Sequence, residues 1–369
     1  MEYFVVHGHD QSYSQNQAEL ITKQINPDNK ETPINFIDKN LTDDRVFYQR
    51  NHFEFPEISR QNFGLDLIVE SPEIRTRVEY ESIISLPSRT LMAILECAGD
   101  KRLNFKKKSY GLQWGDGAIS YGKWKGVPLY ILLKQLGEID YSDIKEIIFT
   151  GYDRGKRLET GDTVPYAKSL PLKKALDKDT IIAYEFNDGP LPFKHGYPLR
   201  LIVPGWYGMD SVKWLKSIKL VNHKFKGPFQ LDYSYKPRSE ESNHTKKSIP
   251  VTTINVNSTI QKPLNYSNHS MDQITVIGLA WSGLALIKNV KISLDGGDTW
   301  HFAELDDQES KYSWVNWIYR FQPKDKGHYT IMVKATDYKE RTQPDKPFEN
   351  ADNYGYNAIS KVHINVVWA

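Results

Sequence analysis

Leu95-Glu96-Cys97-Ala98-Gly99-Asp100-Lys101-Arg102 places a cysteine where an apolar run gives way to a glycine-containing, cationic turn. A thiol at such a strand end is expected to be exposed. The flanking Lys101 and Arg102 favour its thiolate, the form that binds soft or thiophilic metals. Cys97 is the only cysteine in 369 residues, which excludes an intrachain disulfide and any multi-cysteine zinc or iron–sulfur centre. The competing assignment is a small buried hydrophobe.

The turn belongs to a stretch, residues 46–249, in which short β-rich segments (DLIVE, TLMAILE, KEIIFTGY, LRLIVPG) alternate with loops rich in Gly, Pro and charge. Short helical patterns, VPLYILLKQL and SLPLKKAL, lie between them, so the stretch predicts a mixed α+β domain with long functional loops. Residues 1–45 are polar and lack periodicity; they predict an extended arm, to which no chemistry is assigned. Residues from about 226 to 250 form a polar, Pro-bounded linker with a tyrosine cluster. From 250 to 369, apolar and polar residues alternate at strand spacing between turn signals such as DGG and KDKG, the pattern of an immunoglobulin-like sandwich. Trp281, Trp300, Trp314 and Trp317 are expected to fill its core.

Composition removes several function classes. Hydrophobic residues at 39% and aromatic residues at 12% describe a folded chain with a sizeable core. A formal net charge of +2, with both signs interspersed, gives no field that would collect nucleic acid or an anionic membrane. No apolar run approaches the roughly 20 residues that cross a bilayer. The opening MEYFVVHGHD is neither a secretory signal nor a twin-arginine leader, so the expected compartment is the cytoplasm.

Several ordered motifs then identify a resemblance. Arg50-Asn51-His52 with Pro56, Cys97-Ala98-Gly99 with Arg102, and Trp114–Ser120 followed by Trp124-Lys125-Gly126-Val127-Pro128-Leu129 come first. Pro190-Leu191-Pro192, His195-Gly196-Tyr197-Pro198, Arg200, Val203-Pro204-Gly205 and Val212-Lys213-Trp214-Leu215 follow. In order and spacing these segments resemble the sulfite oxidase family, from about residue 46 to the end of the chain.

The resemblance implies a bacterial-type enzyme without haem that carries molybdenum on molybdopterin, a pyranopterin dithiolene bearing a phosphate. It implies Cys97 as the protein ligand to the metal. It further implies a cofactor pocket formed by Arg50, Asn51, His52, Asp153, Ser169, His195, Arg200, Ser211 and Lys213. Cations suit the phosphate, and a carboxylate such as Asp153 accepts from the pterin edge. Arg50 and Arg102 match positions at the substrate anion, where a guanidinium makes fork-like contacts. Tyr233 matches the place where the family presents a tyrosine near the substrate, with Tyr235 as the competing alignment.

The implied reaction is oxygen-atom transfer from oxidised molybdenum to sulfite, with the electrons passing to a separate acceptor because no haem-binding domain precedes residue 46. The resemblance also implies a homodimer formed through the sandwich. Two departures stand out. Asp100 replaces a common asparagine, placing a negative charge beside the anion site or pairing with Lys101. Tyr354, in the segment Asn353–Ala358, replaces the arginine of animal enzymes. The alternatives are a family relative that reduces sulfoxides or another oxyanion such as nitrate and, outside enzymes, an immunoglobulin-like binding protein.

Overall fold

Gly64-Leu-Asp-Leu-Ile-Val69 is buried almost throughout, the signature of a strand covered on both faces, whereas Ile74–Glu79 alternates sheltered and exposed residues, with only Val78 buried, as an edge strand does. The computed structural model describes residues 18–37, 41–59, 61, 63–157, 160–232, 234–235 and 249–368. In chain order its first strands are β1 (Ile21–Gln24), β2 (Asn29–Glu31), β3 (Gly64–Val69), β4 (Ile74–Glu79), β5 (Arg89–Glu96) and β6 (Ile119–Pro128). They continue with β7 (Glu146–Lys156), β8 (Thr163–Pro171), β9 (Ile181–Phe186), β10 (Gly189–Pro190), β11 (Arg200–Ile202) and β12 (Leu215–Val221).

β1 and β2 form a hairpin. One five-stranded sheet runs β4-β3-β12-β7-β8, with β12 parallel to β3 and antiparallel to β7. A second contains β10-β9-β6-β5, with β11 also on β9. Gly126 fixes the meeting of β6 and β9, since a Cβ there would stand 2.2 Å from the Ile182 carbonyl oxygen. The helical patterns yield a short helix, Leu129–Leu132 continued as a 3-10 turn over Leu133–Leu136, and a single turn, Leu172–Ala175. This is the expected mixed α+β region.

Beyond it lies the expected β-sandwich, built from a four-stranded and a five-stranded sheet. Its core gathers Val276, Ile292, Trp317, Ile331 and Ile364. The other tryptophans correct the expectation. Trp281 and Trp314 pack instead on Ile94, Ile119 and Tyr121 of the first region, and Trp300 is half-buried under Lys334. Strand alternation marks which residues face inward but not which neighbour they meet. The outer edge of β5 is covered from the sandwich side, where the Ile94 amide donates to the Tyr312 carbonyl at 2.9 Å. Among the described residues, no helix is long and apolar enough to cross a membrane.

Candidate functional site

A cavity of about 980 Å³ opens where the loops of both sheets converge, and the sandwich adds Asp352 and Tyr354 to its wall. Arg50, Asn51, His52, Cys97, Arg102, Asp153, His195, Arg200, Ser211 and Lys213 all line it. Ser169 does not. It lies on β8, where its hydroxyl donates to Glu146 at 2.7 Å and its amide to the Gln230 side chain at 3.1 Å. Tyr233 lies outside the described residues.

Cys97 follows β5 directly. Its amide donates to the Ala118 carbonyl at 2.8 Å, and the Gly99 amide points at its Sγ from 3.4 Å. The expectation of an exposed, acidified thiol needs correction. Burial pushes the Cys97 thiol up, against the pull of Arg50, the Gly99 amide and Arg102.

The cationic turn also divides. Lys101 adopts left-handed backbone with φ 59°, which turns its side chain away from the cavity and into the sandwich. There its Nζ donates to Asn257 Oδ1 at 2.9 Å and to the Ser258 carbonyl at 2.7 Å. Arg102 takes the other direction. It donates to the Leu112 carbonyl at 2.9 Å and lies 5.1 Å from the Tyr354 ring centroid. A Cβ on Gly99 or Gly111 would come within 2.9 Å of its guanidinium, so both glycines make room for it.

Asp100 does not pair with Lys101, whose Nζ is taken by Asn257 and Ser258. Burial, reinforced by Glu96, holds it well above the carboxylate range, and it accepts from the Ala118 amide at 2.8 Å.

The opposite wall comes from one stretch. Arg200 donates to the carbonyls of His195 (2.8 Å) and Ser211 (3.2 Å), and burial lowers it to about 10. Ser211 Oγ accepts from the Val203 amide at 3.1 Å. Lys213 donates to Asn51 Oδ1 and to the Lys194 carbonyl, and burial followed by Arg200 pushes it well below the usual lysine range. His195 is driven down by burial despite its Nε2 lying 3.0 Å from an Asp44 carboxylate oxygen.

His52 stacks on Tyr166 with centroids 5.0 Å apart, and burial and Arg50 keep it neutral. An arginine nitrogen only donates, so the 3.1 Å contact from Arg50 Nη2 makes His52 Nδ1 the acceptor and leaves the proton on Nε2. Burial raises Asp153 to about 7, with Lys213 opposing.

Among the described residues, the buried Nε atoms of Arg102 and Arg200 and Oδ1 of Asp153 find no hydrogen-bond partner. The cavity therefore presents donors and an acceptor that a polar guest would satisfy. Arg50, Arg200 and Lys213 act on one another as like charges, which favours an anion beside them.

The sequence reading missed Gln24, Asn26 and Pro27 of the N-terminal hairpin and Tyr48, all in the cavity wall. The arm was given no chemistry, and the only local hint is the turn-forming Asn26-Pro27-Asp28 between β1 and β2.

The family description "Oxidoreductase molybdopterin binding domain" matches residues 52–229, and "Mo-co oxidoreductase dimerisation domain" matches residues 247–367. Mitochondrial sulfite oxidase of Drosophila melanogaster is 33% identical over 377 residues, spanning 96% of this chain and 64% of its own. The NADH nitrate reductase of Spinacia oleracea is 30% identical over 391 residues, spanning 97% of this chain and 41% of its own. The chain thus spans less than two thirds of the length of either relative. In fold, it superposes on the sulfane dehydrogenase SoxCD from Paracoccus pantotrophus with a TM-score of 0.79, at 22% identity, over 100% of this chain and 96% of that one.

Proposed function

Because the chain belongs to the sulfite oxidase family of molybdopterin-binding oxidoreductases, we propose that it oxidises sulfite to sulfate on a molybdenum-molybdopterin cofactor. Over a turnover, sulfite and water give sulfate, two protons and two electrons, and the electrons go to a separate acceptor. The observation that carries this reading is the convergence of the one thiol, Cys97, with Arg50, Arg102, Arg200 and Lys213 on a single cavity.

The cofactor, when bound, supplies the transferable oxygen and accepts the electron pair. Cys97 Sγ would hold the metal. Among the described residues, no group of three or more His, Cys, Asp or Glu side chains gathers to hold a metal by itself, in keeping with a metal brought in on an organic ligand. Lys213, Arg200, His195 and Ser211 would hold the phosphate, with Asn51 anchoring Lys213. Asp153 would accept from the pterin edge, and His52, with its proton on Nε2, would donate.

Arg50 and Arg102 would bind the substrate anion. The Leu112 carbonyl and the Tyr354 ring orient Arg102, and the ring shields one face of its guanidinium from water. The sandwich would pair two copies of the chain, a reading supported by its family description and by exposed apolar side chains such as Phe302 and Tyr338.

A second reading, reduction of a singly charged oxyanion such as nitrate, draws support from Tyr354, which adds an aromatic ring and no charge to the pocket. Elemental analysis of the purified protein for molybdenum, followed by parallel assays, tests both. Sulfite-dependent reduction of an artificial acceptor supports the first reading. Nitrate-dependent oxidation of a reduced dye without sulfite turnover supports the second. Protein expressed with cofactor synthesis intact but free of molybdenum overturns both.

A further inference from the structure

The N-terminal hairpin precedes both stretches matched by the family descriptions, and none of the roles above falls on it. It is nevertheless bound tightly to the site. Lys30 and Gln49 exchange two backbone hydrogen bonds, at 3.0 and 2.8 Å, immediately before Arg50. Glu31 accepts from the Gly115 amide at 2.7 Å, and the Thr32 and Ser120 hydroxyls lie 2.7 Å apart.

Within this frame the side-chain amide of Asn29 is fully buried, at 0% exposure. Its Oδ1 accepts from the Asn51 amide at 2.7 Å and faces Arg50 Nη1 at 3.4 Å. Its Nδ2 reaches the Asn51 carbonyl at 3.2 Å, the Pro27 carbonyl at 2.9 Å and Gln24 Oε1 at 3.0 Å. One amide thus holds both backbone polar groups of Asn51. Asn51 in turn donates from Nδ2 to the Asp28 carbonyl at 2.5 Å and accepts Lys213 on Oδ1. Asn29 is therefore one bond from Arg50 and two from Lys213, the cations assigned to the two anionic groups.

No other side chain of this size would serve. Alanine would leave the Asn51 amide buried without its partner. Aspartate would keep the acceptor, lose both donors and set a negative charge against Arg50.

We propose that Asn29 is a positioning residue that fixes Arg50 toward the substrate anion bound in the cavity. This inference rests on the sulfite-oxidising reading for its choice of anion. The test compares purified holoenzyme with its Asn29→Ala and Asn29→Asp variants, each normalised to molybdenum content. It reads sulfite KM, kcat and, independently of turnover, the dissociation constant for sulfate by calorimetry.

The expected result is a roughly tenfold rise in KM and in the sulfate constant for Asn29→Ala, equivalent to about 1.4 kcal/mol, with kcat per molybdenum little changed. Asn29→Asp, close in shape and so less disruptive to folding, is expected to weaken sulfate binding at least as much, because its carboxylate competes for Arg50. Unchanged KM and sulfate affinity in both variants overturn the proposal, as does a loss confined to protein yield or cofactor content. If the unaltered enzyme fails to oxidise sulfite but binds sulfate, the functional reading fails and the sulfate constants alone decide the role of Asn29. Absence of sulfate binding in the unaltered enzyme overturns both.

Discussion

The wall of the cavity nearest Lys213 and the wall nearest Arg102 are built in opposite ways. His195, Arg200, Ser211 and Lys213 come from one continuous stretch, and Arg200 is tied to the His195 and Ser211 carbonyls beside it in sequence. Arg102 and Tyr354 are separated by most of the chain. They meet because the Gly355 amide donates to the Ala98 carbonyl at 2.8 Å and because Lys101 is anchored on Asn257. Asn257 itself donates to the Tyr356 carbonyl at 2.9 Å, so one asparagine connects the turn after Cys97 with the segment that carries Tyr354. The first wall is set mainly within that stretch, with Asn51 and Asp44 reaching Lys213 and His195 from the segment before β3. The second requires two domains to be docked, so substitutions in the sandwich can alter the proposed substrate side without touching the cofactor side.

Cys97→Ser is expected to have the largest effect, because a hydroxyl is far less acidic and a harder ligand than a thiolate. Turnover should fall by orders of magnitude, while the Lys213 wall retains at least part of the cofactor. Molybdenum content, visible absorption and sulfite assay measure this together, and full activity with an unchanged spectrum would remove Cys97 from the site.

Arg50→Gln and Arg102→Gln come next. Each deletes a charge-assisted contact worth about 1.5 to 3 kcal/mol, or roughly ten- to 150-fold in sulfite KM, with molybdenum content preserved. Unchanged kinetics in both would move the anion elsewhere. Lys101→Met tests the dependence of this wall on docking. It should destabilise the protein to urea by about 2 kcal/mol and raise KM severalfold while leaving molybdenum in place; an unaltered KM would show that the Arg102 wall stands without the latch. Ser169→Ala is expected to cost about 1 kcal/mol through its lost bond to Glu146, with cofactor content and KM unchanged. A fall in molybdenum would return Ser169 to the cofactor site.

The same division explains what could be read from the sequence. Cys97, Arg50, His195, Arg200 and Lys213 sit in short motifs whose local order already groups them, and the structure brings all of them to one cavity. What escaped were directions and long-range partners. Nothing in Asp100-Lys101-Arg102 announces that a left-handed residue sends Lys101 out and Arg102 in, or that Asp100 is buried with its carboxyl pushed up. Asn29 reads as one polar residue in an unpatterned arm because the partners that tie it to the site, Arg50 and Asn51, lie 21 and 22 residues on. The β-region and the sandwich were legible because alternation reports which face is buried. The placement of Trp281 and Trp314 was not, because the sheet they meet belongs to another domain.

The parallel pairing of β12 with β3 carries a consequence for the order of assembly. Ser217 sits beside Asp66, so the first sheet cannot close until the chain between them, including every strand of the second sheet, has been made. Contacts between such distant positions form slowly, since the intervening loop must give up its freedom before the strands reward it. The stretch from His195 to Lys213 leads directly into β12 and reaches its final geometry only with that closure. A cofactor would therefore meet its complete set of anchors late, on a chain that has already committed to its fold, and agents that slow sheet closure should delay loading more than they delay the appearance of secondary structure.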